Sequence, residues 1–461
     1  MLLWTIKLFI SLIIPLGMGY TLLAALFREL SMGIMLRSAL GFGLGFGILS
    51  QWMLVVGILE IPFNVEVIGC PLIFVLVFFL YKILRRRGNI VFPLKNHLTH
   101  RAKIYHIRQN PPLSYKIFYF TAVSYIAYIF LFVFWQSLTI PIESWDALAT
   151  YAFKAKVFFF DRTIHRLNVP HPSFPPHLSF LHTWINLNLG AWDDVMVKII
   201  LPLTLAAYAI VHYSYLKALT DSPWALGGLC LLLSSNFLVY HATIAYNDLS
   251  MMYYNCTSII LLLWWGRQGN DSWLILASLF SGLTTFIKLE GTEYLLIHTI
   301  LCLIILSSNT TYNFQEKFFK FLKFVVPSYS ICLLYNLYKL SVGVWETEGR
   351  IRFILSLQSL NRLPSILKAF GHSLFMGGNW NLLWAILIIS LASYIKRARR
   401  ERDVNLLWTA LVLFIGLYIV FFTFTSASVS YPNPLPRVVL HFFPLCPLLI
   451  ILLNHPAQKT S

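Results

Sequence analysis

Charged residues are scarce in this chain of 461 residues. They make up 11% of it, while hydrophobic residues make up 58%. Soluble globular domains carry about a quarter charged residues, so the composition excludes that class. Apolar runs of about 20 residues, the length that a helix needs to cross a ~30 Å hydrocarbon layer, recur from end to end. The sequence therefore predicts an all-α polytopic membrane protein with about 13 transmembrane helices.

Cysteine is also rare, with six residues and no CxxC spacing. The spacing excludes a disulfide framework and a cysteine-based zinc site. All six lie singly in apolar segments, as small core residues do: Cys70, Cys230, Cys256, Cys302, Cys332 and Cys446.

Acidic residues are outnumbered, 18 against 35 lysines and arginines, which gives a net charge of +17. In a soluble protein this charge would suggest nucleic acid as a partner. Here much of the excess lies in residues 81–108 and 395–403, which the positive-inside bias places in the cytoplasm. We predict that these segments orient the chain and contact the lipid bilayer, with no nucleic-acid partner.

The two basic segments fix a predicted topology. Residues 1–116 form N-terminal transmembrane helices and a basic cytoplasmic loop. Residues 117–340 form a transmembrane module with an outer loop at 139–190, and residues 341–461 form an outer loop and the last helices. Both basic segments lie in the cytoplasm only if the chain crosses the membrane an even number of times between them. This count requires that residues 177–190, which are too short to span, form a membrane-dipping or surface helix. Polar stretches at 141–176, 245–250, 287–293 and 430–437 then share the outer face.

The stretch "PIESWDALATYAFKAK" predicts an amphipathic helix in the outer loop. Asp146, Thr150 and Lys154 fall on one face, with Glu143 one turn before Asp146. Such a helix lies in the membrane interface with its apolar face down and its polar face up. A solvated loop helix without a catalytic role is the alternative.

Asp248 is an isolated acid between two apolar spans. A charge at the bilayer centre costs about 2.5–3.5 kcal/mol, and such residues usually mark a site or a pathway. The alternative is a helix N-cap for the segment that follows.

Five motifs together resemble the GT-C membrane glycosyltransferases, and more narrowly glycosyltransferase family 39, the relatives of protein mannosyltransferases and aminoarabinose transferases. The resemblance covers about residues 117 to 455. Asp146 with Glu143 three residues earlier replaces an adjacent acidic pair, the proline motif is interrupted, and Ile287 stands where threonine is usual. The motifs are "ESWDALATYAFKAK", "HPSFPPHLSFLHTWINLNLGAWDD", "YNDLSMMYY", "TTFIKLEGTEYL" and "RVVLHFFPL".

The resemblance implies transfer of a sugar, with inversion, from a polyprenyl-phosphate donor to an acceptor on the extracytoplasmic face. The acceptor is a protein, a lipid or a glycan, and a bacterial plasma (inner) membrane is the expected location. A carboxylate must take the acceptor's proton. Asp146 is the first choice for this base and Asp248 the second, with Glu143 as a further member of the catalytic group.

Cations must meet the departing phosphate. The predicted donor-binding residues are Lys154, Lys156, Lys288, Glu290, Arg437 and His171, with Arg350 or Arg352 as further cations.

A divalent metal, Mg²⁺ or Mn²⁺, is left open by the resemblance. Asp146, Asp248, Glu143 and His171 are the candidate ligands, although no tight ligand spacing occurs.

Two functions of other classes compete with the enzyme. A transporter or flippase of lipid-linked sugars would show discontinuous helices in two related halves, and the sequence shows no such repeat. A non-catalytic membrane scaffold is the other alternative, supported by the departures from the family motifs.

Overall fold

A computed structural model describes residues 2–85, 112–344, 356–396, 401–427 and 434–455, and these residues form a helical bundle. Most of the two basic segments, together with Arg350 and Arg352, lies outside the described residues. The all-α fold predicted from composition is confirmed.

Within the described ranges, eight helices are long and apolar enough to cross a membrane, and a ninth span is formed if a bent pair counts as one. That pair, Pro434–Leu440 and Leu445–Asn454, bends by 53° at its break. The polytopic character is therefore confirmed. The sequence predicts about 13 transmembrane helices, and four of these fall on described helices that do not pass this test.

The N-terminal helices are α1 Leu2–Leu26, α2 Ile34–Ile58 and α3 Val65–Arg85. A Cβ on Gly45 would lie 1.9 Å from the Pro15 carbonyl oxygen, so the α1 and α2 backbones touch only because glycine stands there. Tyr253 and Tyr254 donate hydrogen bonds to the carbonyls of Ala39 and Gly43 in α2, at 2.6 and 2.7 Å. These contacts make the first three helices an integral part of the bundle.

The middle of the chain forms helices α4 to α13. They are α4 Leu113–Thr139, α5 Phe153–Asp161, α6 His177–Leu189, α7 Ile200–Leu219, α8 Ser222–Leu233, α9 Asn236–His241, α10 Asp248–Gln268, α11 Asp271–Thr284, α12 Gly291–Ser308 and α13 Phe314–Ser341.

The C-terminal helices end the bundle. They are α14 Leu363–Gly371, α15 Leu383–Lys396, α16 Arg402–Phe424, α17 Pro434–Leu440 and α18 Leu445–Asn454. Because α17 and α18 are bent against each other, their junction at 441–444 leaves polar backbone and side chains at the level of the other loops.

Helix α6 corrects one expectation. Every residue of His177–Leu189 is buried, so it is neither a surface helix nor a membrane-dipping one facing lipid. The Trp184 indole donates to the Ser11 carbonyl at 2.8 Å, and the Ser179 hydroxyl donates to the Tyr151 carbonyl at 2.9 Å. This helix of 13 residues is buried on all sides and packs against α1, α2 and α5 instead of lipid.

Candidate functional site

The site begins where α10 begins. Asp248 is the first residue of α10, where a negative charge is favoured by the helix dipole. The preceding residue, Asn247, donates its side-chain amide to the Ile287 carbonyl at 2.9 Å. This bond joins the 242–247 turn to the loop at 285–290, so that two of the predicted polar stretches meet.

The Asp248 carboxylate is fully buried and is surrounded by nitrogen donors. One oxygen accepts a hydrogen bond from the Lys288 ammonium at 2.9 Å and also lies 2.9 Å from His441 Nε2. The other oxygen accepts from Arg437 Nη2 at 3.0 Å. A buried carboxylate is costly unless it is paired and hydrogen-bonded, and Asp248 meets both conditions. The interpretation of Asp248 as a plain N-cap does not account for these three partners.

Arg437 joins the two predicted acids. While Nη2 contacts Asp248, Nη1 donates to the Asp146 carboxylate at 2.5 Å. The guanidinium lies over the Tyr246 ring, with 4.7 Å from Cζ to the ring centroid. A planar fork with donors on several nitrogens can make these contacts together, which a lysine ammonium does less well.

Lys288 carries the second positive charge. Its ammonium lies 3.4 Å from Glu290 as well as contacting Asp248. Burial lowers the pKa of Lys288, but the carboxylates of Asp248 and Glu290 outweigh it, and the net shift is upward. For Glu290, burial raises the pKa and Lys288 outweighs it, so the net shift is downward. Both side chains are therefore charged at neutral pH.

Asp146 differs from Asp248 in exposure. Its side chain is 42% exposed, against 0% for Asp248, and Arg437 is its ion-pair partner among the described residues. It stands immediately before the π-helical turn Ala147–Ala152. Asp146 can therefore leave its partner and meet a ligand without leaving a buried charge behind.

The helix after Asp146 does not expose the polar face that the sequence predicts. Thr150 and Lys154 are buried, whereas Leu148, Phe153 and Phe160 are exposed. The ammonium of Lys154 donates to the carbonyls of His171 and Phe174, both at 2.9 Å. Lys154 thus fastens the proline-rich turn to the helix, while the exposed aromatic side chains suit a membrane interface.

Other predicted residues lie apart from these contacts. The ammonium of Lys156 lies 5.7 Å from the centroid of a Trp192 ring. The His171 ring stacks on Phe174. Glu143 is exposed and lines a cavity described below. The contacts therefore join Asp146, Asp248, Lys288, Glu290 and Arg437; the donor-binding roles of Lys154, Lys156 and His171 stay predictions.

His441 and Tyr294 were not predicted as site residues. His441 Nδ1 lies 2.8 Å from the Tyr294 hydroxyl, which also contacts the Tyr418 hydroxyl. Tyr294 thus holds the ring whose other nitrogen faces Asp248. The sequence carried a signal for His441, because it follows Arg437 by four residues within the motif "RVVLHFFPL".

The charge arrangement bears on the candidate metal. No group of three or more histidine, cysteine or acidic side chains that could hold a metal ion occurs within the described ranges. Both oxygens of Asp248 already accept from nitrogen donors, and Asp146 faces a guanidinium. This donor set does not fit a divalent cation and fits an anion better.

Comparisons with known proteins give one structural match. No protein-family model matches the sequence, and no curated protein matches it. The chain is similar to the crystal structure of ArnT from Cupriavidus metallidurans in the apo state, at 15% identity and a TM-score of 0.49, over 73% of this chain. The match spans 60% of the length of that ArnT chain. The proposal that follows rests on the geometry of this chain's own residues.

Proposed function

We propose that the chain is a membrane glycosyltransferase that moves a sugar from a polyprenyl-phosphate donor to an acceptor, with inversion at the anomeric carbon. The observation that carries the proposal is the bridge of Arg437 between buried Asp248 and half-exposed Asp146. It places a fixed cation beside a carboxylate that can be released. Transfer from a lipid phosphate needs these two groups: a hydrogen-bond donor for the oxygens of the departing phosphate, and a base that takes the proton of the sugar acceptor.

The two acids take different roles. Asp248 is enclosed by nitrogen atoms of three residues and holds Arg437 and Lys288 in place, so it is a positioning residue. Asp146 accepts the proton of the acceptor's hydroxyl or amine. Glu290 holds Lys288 from its other side.

Directed hydrogen bonds, not net charge, would hold the phosphate. Arg437 and Lys288 bring two positive charges to the cluster, and Asp146, Asp248 and Glu290 bring three negative ones. Among the described residues, Arg437 donates one hydrogen bond from each of Nε, Nη1 and Nη2, and a guanidinium has five N–H groups. Two N–H groups thus remain for phosphate oxygens.

Donor binding would also prepare the base. A phosphate that bonds to Nη1 of Arg437 competes with the Asp146 carboxylate, whose ion pair is half-exposed and contributes only about 0–1 kcal/mol. Asp146 then turns toward the acceptor. In this proposal the departing phosphate takes the bonding electron pair, the acceptor oxygen or nitrogen bonds the anomeric carbon from the opposite face, and Asp146 takes the acceptor's proton.

The test is product analysis in proteoliposomes that contain a panel of polyprenyl-phosphate sugars and membrane or peptide acceptors. We expect free polyprenyl phosphate to appear together with a glycosylated acceptor, and this release to require Asp146. Asp161→Asn, an exposed acid later in the same loop, is the matched control. Movement of intact donor across the bilayer without cleavage would instead identify a transporter, and the proposal would be wrong.

A further inference from the structure

A cavity of about 420 Å³ lies beside the Asp248 cluster, between α4 and α9. Its walls include Ala147 and Ala245, which are the chain neighbours of Asp146 and Tyr246. The residues of the cluster itself, Asp248, Lys288 and Arg437, do not line it. The cavity is therefore separate from the proposed phosphate site and shares a wall with it.

The cavity is long and changes in character along its length. Its wall follows α4 from Tyr125 to Gln136 and then to Ile140, a distance of about 22 Å at 1.5 Å per helical residue. At the end near Tyr125 the lining is aromatic and aliphatic, with Ile129, Phe132 and Leu233. At the other end it contains Glu143, Ser144 and Lys198. An occupant of matching chemistry has an apolar tail and a polar head.

The apolar part opens sideways. Tyr128 and Phe132 line the cavity and are 64% and 42% exposed, so they stand at its edge on the outer surface of α4. Helix α4 is one of the helices that are long and apolar enough to cross a membrane, so its exposed surface faces lipid chains. An acyl chain can therefore enter from the bilayer without crossing polar surface.

The polar end contains a buried cation. Lys198 is 3% exposed, and its ammonium donates one hydrogen bond, to the Thr243 carbonyl at 3.2 Å. An ammonium has three N–H donors, and the described residues supply this one acceptor. Glu143 lies on the same wall but is exposed, so water screens its charge. A buried ammonium in this position calls for an anionic oxygen.

We propose that this cavity binds one anionic glycerophospholipid from the leaflet at the Asp248 end of the bundle, with its phosphate on Lys198 and an acyl chain along α4. Inorganic phosphate would leave the apolar length empty. The choice of a glycerophospholipid over a polyprenyl phosphate rests on the proposed function, in which the isoprenoid phosphate is held by Arg437 and Lys288.

The test uses the purified full chain in nanodiscs that contain phosphatidylglycerol with a diazirine on its acyl chain. After irradiation, labelled peptides are mapped by mass spectrometry. We expect a label on α4 at Ile129, which lines the cavity and is buried, and about a tenfold lower yield there in Lys198→Met, since a charge-assisted hydrogen bond is lost. Lys339→Met, an interfacial lysine over the Tyr335 ring that does not line the cavity, is the control.

A second variant decides the question if Lys198→Met does not fold. Ile129→Trp fills the apolar part and should abolish the α4 label, while Phe120→Trp, on the exposed surface of the same helix, should not. Unchanged labelling in folded Ile129→Trp would overturn the proposal. So would equal labelling by a zwitterionic phosphatidylcholine probe, or displacement of the label by stoichiometric polyprenyl phosphate. The labelling needs no sugar transfer, so its failure and that of the proposed function are distinguishable.

Discussion

Two aspartates of this site have the same chemistry and opposite surroundings. Asp248 has no exposed surface and three nitrogen partners, whereas Asp146 is 42% exposed and is paired with Arg437. A proton acceptor must reach its substrate, and a buried counter-ion need not. This difference in exposure is the reason for proposing a catalytic role for Asp146 and a positioning role for Asp248.

Substitution of the two aspartates should give different phenotypes. Asp146→Asn should lower the transfer rate by about 10²–10⁴-fold and leave the unfolding temperature unchanged, because the amide cannot accept the proton. Asp248→Asn should lower the free energy of unfolding by about 3–5 kcal/mol, because two cations lose their buried partner. Steady-state transfer and thermal unfolding in detergent measure both. Transfer by Asp146→Asn within threefold of the native chain would remove Asp146 from the base role.

Arg437→Lys should lose most of the transfer activity although the charge is kept. A lysine ammonium cannot reach Asp146 and Asp248 with separate nitrogens, nor offer a planar pair of N–H groups to a phosphate. We expect a raised KM for the donor and a reduced kcat. Arg166→Lys, at an exposed ion pair with Glu60, is the control and should behave like the native chain. Native kinetics in Arg437→Lys would mean that the fork geometry is not used.

The candidate site was only partly predictable from the sequence. Asp146, Asp248, Lys288 and Arg437 stand out because charges are rare in an apolar chain, and the contacts bring all four together. Lys154 shows the limit: a helical wheel tells which residues share a face, but not which face points inward. Its partners are backbone carbonyls about 20 residues away. Every residue has a backbone carbonyl, so the sequence does not show which ones accept a hydrogen bond.

At the scale of elements, interrupted helices build the site. Asp146 precedes a π-helical turn, Asp248 begins α10, Arg437 lies in the short helix α17, and His441 lies at the bend between α17 and α18. A regular span would satisfy its own backbone and carry side chains into lipid. Breaks at a common level provide polar groups that meet each other instead.

Lys154 offers a test of one such element. If it fastens the proline-rich turn, Lys154→Met should lower the unfolding temperature, because two charge-assisted hydrogen bonds to the carbonyls of His171 and Phe174 are lost. The KM for the donor should stay unchanged in protein that remains folded. Lys156→Met, whose ammonium lies over Trp192, is the matched control for stability. A raised KM at unchanged stability would favour the donor-binding role predicted from the sequence.

Helix α6 shows why some elements escape sequence reasoning. Its 13 residues are too few to span, and that length favoured a location at the membrane surface. Its burial depends on α5, which precedes it in the same loop, and on α1 and α2, which are far away in the chain. The hydropathy of a segment indicates that it prefers an apolar environment. It does not indicate whether lipid or other parts of the protein provide that environment.

At the scale of the whole molecule, close helix packing unites the N-terminal helices with the rest. Gly45→Ala should strongly destabilise the protein, because the new Cβ would lie 1.9 Å from the Pro15 carbonyl oxygen. Gly227→Ala is the matched control, since a Cβ there meets nothing within 4 Å and alanine favours a helix by up to about 1 kcal/mol. Thermal unfolding of both variants measures the difference. Equal unfolding temperatures would show that α1 and α2 can separate without cost.

The orientation of the bundle in the membrane is the last prediction. The basic segments predict that Trp145 faces the extracytoplasmic side and that Thr311, in the loop between α12 and α13, faces the cytoplasm. Both positions are exposed. Cysteine is introduced at each in a Cys70→Ser background, because Cys70 is the exposed native cysteine among the six. An impermeant thiol reagent applied to intact cells should label Trp145→Cys and should label Thr311→Cys only after permeabilisation. The reverse pattern would place Asp146 in the cytoplasm, where a base facing an extracytoplasmic acceptor has no role.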